Sequence, residues 1–279
     1  MKNIRLLIEN VYDTAELSLA TGTEAGAMVL ANTQQYGNEL RFVSTDITAV
    51  VIAGNFTLAK LMSGFIIHRH NLSNTAKIRL EIFDDRNQTG KRVYDSGLLN
   101  AVPQTVYNDW DWRIKPIVSS PFDHWSLRFS QLWFDEVFGL SFRLTINDPD
   151  NTAGEIELTR AYMGRTFEPR VNFAWGQKSQ LLSSSKQVRT DGGSIYSKMS
   201  KKYRRVDVAL NHINSSERPH LFNALNYVGT EKDFFVSLYP EQGDQQELES
   251  AFAGKFTDTP PLTHAGFNRT QSALTIEEC

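Results

Sequence analysis

Residues 202–240, KYRRVDVALNHINSSERPHLFNALNYVGTEKDFFVSLYP, constrain the fold more than any other stretch. Val206, Val208 and Leu210 alternate with Arg205, Asp207 and Asn211, the period of two that gives a strand one dry and one wet face. Ser215 or Ser216 stands where it would cap a following helix, since a hydroxyl accepts from the free amide donors of a first turn. Pro219 is tolerated inside that turn. Leu221, Phe222, Leu225 and Val228 fall on one stripe at helical spacing, and Gly229 marks a left-handed stop. Phe234, Val236 and Leu238 then share one side of a strand that ends at Pro240. The reading is strand–helix–strand. It holds no nucleophile, metal cluster or phosphate loop, so it is scaffold.

Upstream, the pattern is almost entirely β. The first residues, MKNIRLLIENVYD, form an apolar run broken by Arg5 and closed by Glu9, too short and too charged for a signal peptide or membrane span; a first strand is predicted. Residues 49–53 and 64–67 are short apolar runs with β-branched members, read as two buried strands. Ile78, Leu80 and Ile82 alternate with Lys77, Arg79 and Glu81, ahead of a turn-rich stretch at 84–90. Residues 100–138 are irregular and unusually aromatic. Alternation returns at Leu140, Phe142, Leu144 and Ile146, followed by a strong turn at 148–151 and a strand begun by Ile156 and Leu158. Strands at this spacing, with turn signals between them and little helical periodicity, describe a β-sandwich. Residues 168–170 mark the boundary after it. Residues 176–200 read as a polar linker or long arm, 243–249 as a polar loop, and 252–256 and 274–276 as short closing strands.

With 279 residues, 41% hydrophobic and 22% charged, the composition is that of an ordinary globular chain, and the length favours two domains, with one large β domain as the competitor. A net charge of -3 disfavours nucleic-acid binding, which needs a concentrated basic surface. The single cysteine, Cys279, allows no intrachain disulfide and fits assembly in a reducing cytosol.

Six phrases in order carry a resemblance: HNLS at 70–73, VYDSG at 93–97, NDPDN at 147–151, EIEL at 155–158, RTDGGS at 189–194 and DFFVSLYP at 233–240. Together they resemble minor tail or tail-tip structural proteins of long-tailed bacteriophages over most of the chain. The resemblance implies a mainly β protein. Residues 1–169 would form a galactose-binding-like jelly-roll sandwich, 170–200 a linker or assembly arm, and 201–279 a tail-tube-like, ring-forming β-sandwich with one short α-helix. This order is the reverse of that in the better-known distal tail proteins. The implied work is mechanical and non-enzymatic. A threefold or sixfold ring of self-copies would join tail tube, hub and fibre proteins in the virion, assembled in the host cytoplasm, with no cofactor, membrane or specific nucleic acid. An arm that orders on assembly is a common route to a large interface.

Among candidate sites, Tyr107, Asp109, Trp110, Asp111 and Trp112 suit sugar contact: indole faces stack on a pyranose while carboxylates accept from its hydroxyls. The preferred reading of these residues is a plug at the sandwich end or a subunit contact. A carbohydrate-binding adhesin facing host glycans is the first rival reading; a β-sandwich glycoside hydrolase or lyase is the second. Carboxylates abound, but no pair is set at a defined separation, and no Gly-x-Ser-x-Gly elbow occurs. Lys201, Lys202, Arg204 and Arg205, with Lys198, form the only basic run. Alternation sends Arg204 and Arg205 to opposite faces, and part of the run is assigned to an inter-subunit interface. His68 and His70 share a strand face but lack a third metal ligand, so a surface pair flanking a turn is expected. Asp84, Asp85 and Asn87 lack the spacing of a calcium loop and read as a solvated turn. No metal site is predicted.

Overall fold

The computed structural model describes residues 2–37, 39–104, 120, 123 and 128–279. Among the described residues nine strands precede residue 165: β1 (Arg5–Leu7), β2 (Glu16–Thr21), β3 (Phe42–Ser44), β4 (Val50–His70), β5 (Lys77–Phe83), β6 (Arg92–Asp95), β7 (Leu99–Asn100), β8 (Arg128–Asn147) and β9 (Ile156–Gly164). The two runs expected as separate strands at 49–53 and 64–67 are one strand, β4, of 21 residues. It pairs along its length with β8, and the register slips between Asn55 and Lys60 and again between Met62 and Gly64. Such bulges bend a strand. Both long strands thereby serve two ladders. Their outer portions, Val50–Asn55 against Ile146–Ser141, lie between β2 and β5, which carries β6 and β7. Their other portions, from Gly64 against Trp133 onward, lie beside β9, which carries β3. The fold is mainly β, with a sandwich in its first half. Tyr12 fills the space between the layers, its ring 6.4 Å from Phe65 and 5.7 Å from Phe142.

The remaining chain adds β10 (Lys178–Ser183), β11 (Lys186–Arg189), β12 (Ile195–Lys198), β13 (Lys202–Ile213), α1 (Arg218–Val228), β14 (Phe234–Ser237), α2 (Gln245–Ser250), β15 (Ala251–Phe256), β16 (Leu262–Gly266) and β17 (Arg269–Glu278). The second sheet runs β1-β14-β15-β17-β13-β10, with β16 on β17. Its first member is the N-terminal strand, with Leu6 opposite Val236. Leu6 also exchanges backbone hydrogen bonds with Phe167, at 3.0 and 2.8 Å, so this strand is bonded both to 234–237 and to the end of the 1–169 stretch.

Period-two alternation in this sheet feeds two cores. Leu6, Phe234, Val236, Phe252 and Phe256 join Val206, Val208, Leu210 and the α1 residues Leu221, Leu225 and Val228 in one cluster. Leu7, Phe235, Ala251 and Ala253 point the other way, into the core of the sandwich. Phe235 lies 5.8 Å from Phe129 and 6.2 Å from Tyr162. The sandwich layer built on β9 is therefore covered on both faces, which is why β9 is an almost unbroken buried run.

Local details depart from expectation in three places. Neither Ser215 nor Ser216 caps α1; Asn214 Oδ1 accepts from the amides of Ser216 and Glu217, an Asx turn that does the same work. Phe222 stands on the exposed flank of α1, while Gly229 ends it with φ 56°. The polar loop expected at 243–249 contains the second helix, α2, started by Asp244, whose side chain accepts from the Glu247 amide.

Candidate functional site

A cleft of about 650 Å³ opens among the N-terminal strand, the β4–β8 bend, residues 165–168, the start of α1 and Glu241. Trp133 contributes an indole to its wall and donates from Nε1 to Gln131 Oε1 at 3.1 Å. The Arg5 guanidinium lies over that ring, 5.3 Å from its centroid, at the distance where a cation is attracted to the π face. Arg5 Nε donates to Glu168 at 2.8 Å, Arg5 Nη1 lies 3.4 Å from Glu241, and Lys2 also pairs with Glu241. Across the cleft, Arg165 donates to Glu136 at 2.7 Å and to His220 Nδ1 at 2.8 Å. The Thr166 amide donates to Ser63 Oγ at 2.9 Å, while Thr166 Oγ1 is buried with no protein partner. Six carboxylates line the cleft, from Glu9, Asp135, Glu136, Glu168, Glu217 and Glu241, against three cations, Lys2, Arg5 and Arg165. Glu136, Glu168 and Glu241 are held in ion pairs, and the cleft presents a charged, aromatic-walled surface.

The sequence-derived candidates fall in other places. Tyr107, Asp109, Trp110, Asp111 and Trp112 lie outside the described residues. The flanks of that segment meet at one end of the sandwich: Ser120 Oγ donates to Pro103 O at 2.6 Å, and Asn74 and Arg128 both donate to Asp123. Lys201 and Lys202 are exposed. Arg205 is half-buried beside Asp207 and Glu277.

Arg204 is a correction to the inter-subunit set. It is buried within its own chain, bonded to both oxygens of Glu278 at 2.9 and 2.7 Å and to the carbonyls of Leu248 and Ala251, with its guanidinium 4.9 Å above Phe252. It shares the dry face of β13 with Val206 and Val208, and a guanidinium is admitted there because carbonyls and a carboxylate take up its donors.

His68 and His70 are also corrected: both are buried, not a surface pair. Arg69 between them adopts φ 59° and the register slips there. Desolvation holds both imidazoles below their ordinary pKa, His70 at about 3 with Arg128 adding to the effect, and His68 also beside Arg69. The Leu72 amide donates to His70 Nδ1 at 3.2 Å, so the neutral ring carries its proton on Nε2, 2.9 Å from Ser130 Oγ. Asp84 and Asp85 stand exposed in a turn, as expected. Among the described residues no group of three or more His, Cys, Asp or Glu side chains could hold a metal ion.

Two buried polar centres escaped the sequence. Arg160 joins Asp13 and Asp233, and Glu247 accepts from the amides of Glu241 and Gly243 and from Gln131. Each had a visible signal. Arg160 falls at period two after Ile156 and Leu158, where an apolar residue is due, and Asp244 with Glu247 has the spacing of a helix-start box.

No protein-family model and no curated protein matches the chain. Among solved structures it is similar to SpGH29, with a TM-score of 0.39 and 12% identity, over 57% of this chain and 28% of that one. It is also similar to CpGH89CBM32-5 from Clostridium perfringens, solved in complex with GalNAc-β-1,3-galactose, with a TM-score of 0.38 and 9% identity over 56% of this chain and all of that one. The family 32 CBM from C. perfringens NanJ, in complex with galactose, gives a TM-score of 0.37 and 11% identity over 57% of this chain and 98% of that one. Likenesses of this size assign the chain no ligand.

Proposed function

We propose that the chain is a non-catalytic assembly protein that mates with copies of itself. The observation that carries this reading is the outer part of the β10–β13 hairpin. Beyond the sheet, β11 and β12 pair only with each other and form a separate two-stranded ribbon. Its residues are exposed on every side, including Val188 at 64%, Tyr196 at 67% and Met199 at 91%. An isolated two-stranded ribbon is marginally stable in water, and apolar side chains spaced along it draw their stabilisation from a partner surface. The finer reading, which rests on the six phrases above, is a minor tail or tail-tip component of a long-tailed bacteriophage virion. A ring of these chains would then connect tail tube, hub and fibres. Locating the chain in a cryo-EM map of the intact particle tests this. Several symmetry-related copies at the tail tip would carry the reading, and absence of the chain from purified particles would end it.

Glycan contact is the second reading, carried by the aromatic sequence between Gln104 and Arg128. Its flanks close at one end of the sandwich, and its sequence supplies Tyr107, Trp110 and Trp112 beside Asp109 and Asp111. Calorimetry of the full chain against host-surface oligosaccharides tests it. Binding abolished by Trp110→Ala with Trp112→Ala supports the reading, and no heat with any glycan removes it.

A further inference from the structure

The exposed ribbon and the charged cleft stand at opposite edges of the same seven-stranded sheet. The cleft is built around β1 and the ribbon continues β10, which are the two end strands of the sheet order. Five strand spacings of roughly 4.8 Å separate these edges by about 24 Å. The two features also carry opposite charge. From residue 184 to 202 the ribbon presents Lys186, Arg189, Lys198, Lys201 and Lys202 against one carboxylate, Asp191. In the cleft carboxylates outnumber cations, and Asp135, Glu136 and Glu9 are exposed at its rim. Each also has an apolar component, Ile195 and Tyr196 on the ribbon and Ile8, Trp133 and Phe167 in the cleft.

We propose that the ribbon of one copy docks in the cleft of the next. The proposal rests on the self-assembly reading above and names the surface that receives the arm. Contact between two different edges of one sheet is heterologous: every copy offers one ribbon and one cleft, and the chain of contacts closes into a ring when the rotation allows. The ribbon is long enough. Its seven residues from Ser184 to the turn at Thr190 reach about 23 Å at roughly 3.3 Å per residue, enough to cross a cleft of this volume. Lysines meeting acidic rim groups would steer the encounter and fix its direction, while Tyr196 and Ile195 would supply the burial.

The test is site-specific photocrosslinking of the purified full chain, with benzoylphenylalanine in place of Tyr196 and the joined peptides mapped by mass spectrometry. Crosslinks are expected to residues 2–9, 133–136, 165–168 or 217–224 of another copy. Lys198→Glu with Lys201→Glu should lower their yield at least tenfold, and mixing that variant with Asp135→Lys/Glu136→Lys should restore them between the two species. Crosslinks to any other surface of a second copy overturn the cleft assignment and leave self-assembly standing. A chain that stays monomeric and uncrosslinked at every concentration overturns both.

Discussion

Arg160 on β9 donates to both carboxylate oxygens of Asp233, at 3.0 and 3.2 Å, across 73 residues of sequence and with both side chains under 8% exposed. The same guanidinium holds Asp13 at 2.5 and 2.8 Å, and the Tyr162 hydroxyl donates to Asp233 at 2.6 Å. A bidentate guanidinium–carboxylate pair is directional. This one ties the sandwich to the residue that precedes β14, in the layer where Phe235 enters the sandwich core. The two halves cannot part without stranding a buried charge.

Asp233→Ala leaves the Arg160 guanidinium buried without one of its two carboxylate partners. The expected loss is about 3–5 kcal/mol of unfolding free energy, the range for breaking a buried pair from one side. Urea titration of the full chain, followed by both tryptophan fluorescence and circular dichroism, should show one coincident transition moved to lower urea. The double variant Arg160→Met/Asp233→Ala should lose less than the sum of its singles. Separate transitions for the two halves in the unsubstituted chain would contradict the shared core.

His70 sets a pH dependence. Its folded pKa is about 3 because burial disfavours the imidazolium, against about 6.5 when the chain is unfolded. The unfolded state thus binds the extra proton first. Stability from this residue is complete above about pH 6.5 and is lost as pH falls toward 3. Between pH 7 and pH 5 the share of His70 is about 2 kcal/mol, from roughly 1.4 kcal/mol per pH unit below 6.5. His68, lowered in the same direction, adds to the slope. Urea midpoints measured from pH 7 to 5 should fall, and His70→Gln should flatten the curve by about one proton.

Gly164 ends β9 where a Cβ would stand 2.1 Å from the Glu9 carbonyl oxygen, a backbone atom held by its own neighbours. Gly164→Ala should therefore cost about 1–3 kcal/mol, the usual range for overpacking. Gly192→Ala, with open space around it, serves as the control. Thermal unfolding of the two variants separates them.

The ribbon should be the first part of the free chain that trypsin cuts. Lys186, Arg189 and Lys198 are exposed on a two-stranded segment with no covering layer, and local opening there breaks few buried contacts. Cleavage within 186–198 at low protease, mapped by intact mass, is expected in the dispersed protein, with protection on assembly.

Much of the fold was legible because alternation is local. β13 and β5 are found where their apolar residues recur at every second position. β4 and β8 were legible only in fragments, since bulges at their bends reset the period and split each strand into pieces. The partner of β1 was invisible, because a three-residue strand pairing 230 residues away leaves no local mark. Residues 176–200 read as a loop since polar residues on both faces of a solvated ribbon imitate one. The cleft had no signature of its own. Its groups come from six separated stretches of sequence, and Arg204 shows the limit of the basic-run reading, because period alone could not reveal that carbonyls wait on the dry side.

Sedimentation velocity of the intact chain over a wide concentration range, beside the variant Val188→Glu/Tyr196→Glu, tests self-assembly most directly. Both substituted side chains are exposed on the ribbon, outside both cores, so the variant should keep the folded circular dichroism spectrum of the unsubstituted chain. The expected result is a discrete closed oligomer for the unsubstituted chain and a monomer for the variant. A monomer in both, or an oligomer untouched by the substitutions, would contradict assembly through the ribbon.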